Sequence, residues 1–393
     1  MTTEIELSIQ APSAELIQPL LQDFETQHRI RVKLRVLSWD TAWSDLVKVA
    51  LYGDGPDVSE IGSTWLGDLV AMNALHTFTP DEIILLGKAS NFMPAAWQGC
   101  HISNQSEVWA IPWMVGIRLL FYRRRLLEQA GVAEATAFQD AAQLNATLQR
   151  LQEQGIGVPW TAPTGLTHTT LLNVCSWVWG EGGDFITPDG KRTQFADPPA
   201  LAGIGQYFAL GRYIPASVHH LNALQPDNQF LSDPQTAVTM SGPWLFEFLT
   251  RAQREEIHVA LPPGRAFVGG SHLVLWKHTR KHEAALKLIR FLTQPEVQMT
   301  YAPRIGLLPA QVDAWAAPPY SSDPLWQVTA SGMQSGRGFL ITRAWGLMED
   351  RLANEFAALW RDVLAQPEAA LDVAIRRHLE PLAKRLDLVL GQS

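Results

Sequence analysis

Residues 107–131 read EVWAIPWMVGIRLLFYRRRLLEQAG. An apolar, aromatic strand, Val108-Trp109-Ala110-Ile111, meets Pro112, and an apolar run resumes as Ile117-Arg118-Leu119-Leu120-Phe121-Tyr122. Proline lacks the N–H that a central strand needs and biases Ile111 toward extended backbone, so one sheet is predicted to end here and a second to begin. A chain that does this is crossing between two domains. Arg123-Arg124-Arg125 then open a helix over 126–130, which Gly131 can close as its C-cap.

Upstream of this stretch the pattern is strand, helix, strand, helix, strand. Ile5-Glu6-Leu7-Ser8-Ile9 alternates, Ala11-Pro12-Ser13 turns, and residues 14–28 form a helix with Leu16, Leu20, Leu21 and Phe24 on one face. Residues 30–37, IRVKLRVL, alternate strictly. Ser38-Trp39-Asp40-Thr41 caps a helix over 42–51, and Gly53-Asp54-Gly55-Pro56-Asp57-Val58 turns into a short strand ahead of Gly62-Ser63-Thr64-Trp65. Short joints of this kind predict a parallel α/β sheet with right-handed crossovers. Ligands of such sheets sit beyond the carboxyl ends of the strands, where Ser13, Trp39, Thr64 and Trp65 fall.

Downstream, a helix over 137–153 precedes a strand at Val158-Pro159-Trp160, and a helix over 169–179 carries Trp177 and Trp179 into Gly180-Glu181-Gly182-Gly183-Asp184. Val238-Thr239-Met240-Ser241-Gly242-Pro243-Trp244 reads as a buried strand, a Gly-Pro joint and a helix start with free N–H groups. Residues 267–275, FVGGSHLVL, form the strand that returns to the first domain. Further helices are predicted over 352–364 and 367–388.

The chain has 393 residues, more than one hydrophobic core normally serves, so two domains are expected. With 31 basic and 39 acidic residues its formal charge is −8, and its longest basic run is Arg123-Arg124-Arg125, which argues against nucleic acid as a partner. Cys100 and Cys175 form no C-x-x-C and read as inert thiols. No apolar run reaches the ~20 residues of a membrane helix, and Met1-Thr2-Thr3-Glu4 lacks the character of a signal segment. Fifteen tryptophans suit either a core or a cleft that grips flat ligands.

Enzyme motifs are missing. The sequence has no G-x-x-x-x-G-K-[ST], G-x-S-x-G, H-E-x-x-H or G-x-G-x-x-G. His278 and His282 stand four apart, but Lys277, Arg280 and Lys281 make that place cationic, so neither a metal nor any cofactor is predicted, and no catalytic residue is assigned.

In its ordered series of short motifs the chain resembles the extracellular solute-binding protein family 1, the maltose-binding-like receptors of ATP-binding-cassette importers. The series comprises Asp23-Phe24-Glu25, the 53–58 turn, Ala110-Ile111-Pro112-Trp113 with Phe121-Tyr122-Arg123, residues 238–244, Gly269-Gly270-Ser271, the helix over 283–292 with Thr293-Gln294-Pro295-Glu296, and Gly306-Leu307-Leu308-Pro309. It spans about nine-tenths of the chain, and order rather than any single motif makes it specific.

The resemblance implies an α/β, two-lobed periplasmic-binding-protein-like fold of type II, with discontinuous lobes, a hinge of crossing segments and closure on a ligand. The first lobe would hold residues 1–113 and 269–319 and the second 114–268 and 320–393, with crossings near 111–116, 262–269 and 320–335. Carried over residue by residue, the ligand site takes Ser13, Trp39, Ser63, Thr64, Trp65 and Trp113 from the first lobe or hinge. It takes Trp177, Trp179, Gly242, Pro243, Trp244, Arg343 and Trp345 from the second, and Ser271 and His272 beside the second crossing. Indole faces lie well against the apolar faces of pyranose rings, so the expected solute is a mono- or oligosaccharide. Many members carry an acidic residue where this chain has Gly116, which leaves Asp40, Glu181 or Asp184 as carboxylates for a hydroxyl. A phosphate-bearing solute would instead want Arg118, Arg304 or Arg343. The expected protein is a monomer that serves a membrane permease, periplasmic or extracellular and lipid-anchored. The alternatives are a cytoplasmic ligand sensor on the same fold and, more remotely, a glycan-active enzyme.

Overall fold

The computed structural model describes residues 3–365 apart from Pro12, and residues 370–391. Pro12 of the predicted first turn, Pro367 at the predicted start of the last helix and the side chain of Asp40 lie outside the described residues. The described strands are β1 (Thr3–Gln10), β2 (Ile30–Leu37), β3 (Val58–Gly62), β4 (Ile111–Ile117), β5 (Leu119–Arg123), β6 (Val158–Thr161), β7 (Thr236–Ser241), β8 (Ile257–Ala260), β9 (Val268–Leu275) and β10 (Leu308–Pro309). Only Arg118 separates β4 from β5, so the break predicted at Pro112 falls six residues later, and Pro112 is accommodated within β4.

The chain divides into two units. Unit 1 holds Met1–Gly116, Val268–Asp323 and Gly338–Gly346; unit 2 holds Ile117–Phe267, Pro324–Arg337 and Leu347–Ser393. The first two passages between them, at 116/117 and 267/268, fall at or beside the expected crossings. A third falls at 323/324, and the segment Gly338–Gly346, with Trp345 and Arg343, belongs to unit 1 rather than to the second lobe. What ties it there is local: Ser103 N–H donates to Ile341 O, and Gly67 lies so close to Thr342 O that a Cβ would come within 2.0 Å of it.

The sheet of unit 1 runs β10-β4-β9-β3-β1-β2. β1 lies parallel to β2 and β3, as the alternation of strands and helices requires. β9 then enters antiparallel to β3, pairing Val58 with Leu275 and Gly62 with Ser271, so the sheet is mixed rather than parallel throughout. β2 is one of its edges, and there the sequence alternates most clearly, with Arg31, Lys33 and Arg35 exposed. β3 and β4 are buried at every position, which is what continuous apolar runs covered on both faces produce. Gly270 has φ +133°, and a Cβ there would lie 2.2 Å from Met114 O, so only glycine lets β9 and β4 approach this closely.

Unit 2 has a four-stranded sheet, β6-β7-β5-β8, with β6 and β7 parallel and β5 antiparallel to both of its neighbours. β5, β6 and β7 are buried along their whole length. An aromatic core joins the helix Pro198–Ala209 to Trp345–Ala365: Trp360 is fully buried, 4.4 Å from the Phe208 ring and 5.6 Å from Tyr207. The two thiols, Cys100 of unit 1 and Cys175 of unit 2, are free and buried.

Candidate functional site

Unit 1 gathers aromatic faces at the carboxyl ends of its strands. β3 ends at Gly62 and runs directly into a short turn of helix, Ser63–Trp65, and the helix Trp39–Tyr52 follows β2. Their indoles meet: Trp65 lies 5.5 Å from Trp39, edge on, and 5.7 Å from Trp43. Trp39 is 46% exposed and Trp65 half-buried, so this cluster presents apolar ring surface to solvent instead of filling a core. Ser63 and Thr64 are half-buried beside it. Ser13 is engaged as a helix cap, its Oγ accepting the Glu15 N–H at 3.2 Å.

A buried polar group lies deeper in the same sheet. Glu60, on β3, accepts the Gln10 N–H at 2.6 Å, while the Gln10 side-chain amide donates to Glu60 O at 3.2 Å. Burial pushes the Glu60 carboxyl up to about 7, although the Ser271 hydroxyl and the Gln10 amide both favour its charge. Its proximity also helps to raise the Tyr301 phenol, after burial itself, and Tyr301 in turn stacks on Trp113 at 5.3 Å. The side-chain oxygen of Gln10, the Trp113 indole N–H and the Tyr301 hydroxyl are buried with no partner among the described residues. Sequence reasoning missed Glu60 because a single carboxylate inside an apolar strand leaves no spacing pattern. Its one trace is its place between Ser59 and Ile61, where β3 is otherwise built for burial.

His272, next to Ser271 on β9, is buried with Nε2 donating to Ala96 O at 3.0 Å, and burial lowers it to about 4. The two groups act on stability with opposite signs. Glu60, raised above its ordinary 4.5, stabilises the fold fully below pH 4.5 and loses that contribution as pH rises through about 7. His272, depressed below 6.5, contributes fully above pH 6.5 and loses its contribution as pH falls through about 4. In Glu60→Gln the first contribution is removed. The variant is therefore expected to gain stability relative to the wild type as pH rises from 4.5 to 7, read as diverging urea midpoints; parallel midpoints would refute the assignment.

In unit 2 the site residues collect around Trp244. Its indole N–H donates to Asp227 Oδ2 at 2.8 Å, and Ser241 Oγ donates to the same oxygen at 2.8 Å. The Arg118 guanidinium lies over the indole face, 5.0 Å from the ring centroid. Arg118 and Asp227 are both nearly buried; burial lowers the first and raises the second, and each partly offsets the other by its charge. Gly242 permits the arrangement, since a Cβ there would sit 2.1 Å from the Trp244 ring. Pro243 follows it in the same buried turn. Arg118 appeared in the sequence only as an unplaced cation, and Asp227, inside the helix Gln225–Ser232, gave no signal at all.

The remaining expected residues are distributed more widely. Trp177 is buried with its ring 4.9 Å from Tyr207, and Trp179 is buried beneath Arg337, whose guanidinium is 4.8 Å from its centroid. Arg337 also pairs with Asp184 at 2.8 Å, while Glu181 accepts from Gln206 at 2.7 Å. In unit 1, Trp113 and Trp345 are buried, Trp345 lying 4.6 Å from Phe339, and the exposed Arg343 donates to Val70 O at 3.3 Å. The structure thus brings together two separate groups, Trp39 with Trp65 in unit 1 and Arg118, Asp227 and Trp244 in unit 2. The other four tryptophans are enclosed in packed surroundings.

Known proteins share this architecture. The sugar-binding protein MalE of Xanthomonas citri matches with a TM-score of 0.84 at 21% identity, covering 99% of this chain and 98% of its own. UgpB of Mycobacterium tuberculosis, solved with glycerophosphocholine, matches with a TM-score of 0.80 at 17% identity, covering 99% of this chain and all of its own. The diacetylchitobiose-binding protein DasA of Streptomyces coelicolor is 20% identical over 302 residues, 74% of this chain and 68% of DasA. A family model described as bacterial extracellular solute-binding protein matches residues 20–328. With most of its length matched in this way, the chain belongs to the bacterial extracellular solute-binding protein family.

Proposed function

We propose that this chain is the solute receptor of an ATP-binding-cassette importer and that its solute is a mono- or oligosaccharide. The observation that carries the reading is the half-exposed indole surface of Trp39 and Trp65, set where the strands of unit 1 end. Flat apolar surface bordered by Ser63 and Thr64 matches a sugar ring, which is apolar on its face and polar at its rim. Trp244, fixed through its N–H by Asp227, offers a second indole of the same kind in unit 2. Relatives with known solutes support the reading: DasA is a diacetylchitobiose-binding protein, and MalE of Xanthomonas citri is a sugar-binding protein. The receptor performs no chemistry. It acts as a monomer outside the inner membrane, periplasmic or lipid-anchored, and delivers its solute to a permease. Among the described residues no helix is long and apolar enough to cross a membrane.

Arg118 supports a second reading. A guanidinium this buried, stacked on Trp244 with one carboxylate nearby, would also receive a phosphate ester, and UgpB was solved with glycerophosphocholine. A thermal-shift panel separates the two. A ligand that binds only the folded protein stabilises it by about 2.7 kcal/mol at a hundred times Kd, and Tm rises accordingly. The expected result is a response to a mono- or oligosaccharide at micromolar levels. A response confined to polyol phosphates would replace the sugar reading with the second, and silence from both classes would overturn both.

A further inference from the structure

Unit 1 holds a cluster of metal-ligating side chains away from the residues described above. His76 follows Leu75, its N–H donating to Leu275 O at 2.8 Å. Glu82 stands in the first turn of the helix Pro80–Leu86, and His282 opens the helix His282–Leu292. The Nε2 atoms of both imidazoles face the Glu82 carboxylate, at 3.1 Å for His76 and 2.5 Å for His282. One ligand atom from each of the three residues lies within 4.8 Å of the others. We propose that His76, Glu82 and His282 form a binding site for one divalent transition-metal cation, with zinc the best match.

The donor set argues for this class of ion. Two imidazole nitrogens and one carboxylate oxygen are the protein ligands of three-coordinate zinc sites that leave a fourth position to water. Magnesium and calcium prefer all-oxygen shells. Zinc would replace the two protons that otherwise join the rings to the carboxylate, so the groups already converge on the place an ion would occupy. The carboxylate is already aimed: the Thr79 N–H donates to Glu82 Oε2 at 2.7 Å, and both imidazoles face the same group. Thr79 and Glu82 also form a reciprocal capping box, which fixes the carboxylate before any ion arrives.

The rings are fixed as well. His76 packs edge on against Phe78 at 5.6 Å and against His282 at 4.6 Å. Their side chains remain 27% and 38% exposed, which gives an ion a way in and water a coordination position. The lysines that make this place look cationic in the sequence are engaged elsewhere: Lys277 donates to Asn73 at 2.8 Å, and Lys281 pairs with Asp57 at 3.2 Å. His278, which the four-residue spacing offers as the partner of His282, lies against Trp276 instead. Spacing picks the wrong pair because the true partner is about two hundred residues earlier in the chain.

A cation held here joins the helix Pro80–Leu86 to the helix His282–Leu292 and binds only when unit 1 is folded. The test uses untagged, chelator-treated protein titrated with zinc chloride by calorimetry, with Tm measured in parallel and cobalt(II) as an absorbing substitute. The expected result is one zinc per chain, a Tm that rises with zinc concentration, and a visible cobalt band of low symmetry. His76→Asn and His282→Asn should each weaken zinc at least tenfold and abolish the band, while their metal-free circular dichroism and their response to solute stay as in the wild type. Absence of stoichiometric zinc binding, or the same affinity in both variants, would overturn the proposal without touching the solute-receptor reading.

Discussion

Trp360→Ala is expected to destabilise unit 2 by about 3–5 kcal/mol, the cost of removing a fully enclosed indole from a core that cannot close over the gap. Its ring is flanked by Phe208 at 4.4 Å and Tyr207 at 5.6 Å, and Gly211 leaves room for it, since a Cβ there would come within 3.0 Å of the indole. The indole N–H has no partner among the described residues, so the loss is one of packing and apolar burial and not of a hydrogen bond. Trp360→Phe should accordingly recover more than half of it. In a unit of this size, each kcal/mol moves Tm by about 2–4 °C, which predicts a fall of roughly 6–20 °C for the alanine variant. Because two units can unfold separately, calorimetry is the measurement of choice. A single endotherm shifted by less than a few degrees would show that the site relaxes around the cavity.

Trp244→Ala is expected to weaken solute binding tenfold or more, about 1.4 kcal/mol or above, and to do so with little change in Tm. The indole is half-buried, so its removal opens no closed cavity. It does leave Asp227 with Ser241 as its remaining hydrogen-bond donor and strips Arg118 of the ring it covers. Trp65→Ala should behave alike, through loss of the surface shared with Trp39 and Trp43. Trp113, Trp177 and Trp345 form the contrasting set: all are buried, and their alanine variants should lower stability first. Calorimetric titration and thermal melts on the same preparations separate the two behaviours. Unchanged affinity in both Trp65→Ala and Trp244→Ala would remove the aromatic basis of the proposed site.

Those two sets also show how far the sequence could be read. The α/β pattern was legible because period and composition change together at each joint, as from the alternating IRVKLRVL of β2 to the helix that carries Trp39 and Trp43. Pro112 marked a break within a few residues of the passage between units, but β4 accommodates that proline, and the strands part at Arg118, which carried no such signal in the sequence. The segment Gly338–Gly346 was not, because its membership in unit 1 depends on a close fit between Gly67 and Thr342 that has no sequence signature. The site residues were harder still. Fifteen tryptophans look alike in a sequence, and only burial separates Trp65 from Trp177. Glu60 and Asp227 were invisible for a related reason, since a single carboxylate acquires its meaning from neighbours that the fold supplies.

The division of the chain has a consequence for its biosynthesis. Unit 1 is finished only by Gly338–Gly346, and unit 2 only by the residues from Leu347 onward, which include Trp360. Both segments bring a fully buried tryptophan, Trp345 to unit 1 and Trp360 to unit 2. The last segment of each unit follows a stretch that belongs to the other, so neither unit is complete until the chain has passed Gly338. The interleaving thus couples the completion of the two units: a chain cut after Arg337 lacks the closing segments of both, Trp345 of unit 1 and Trp360 of unit 2.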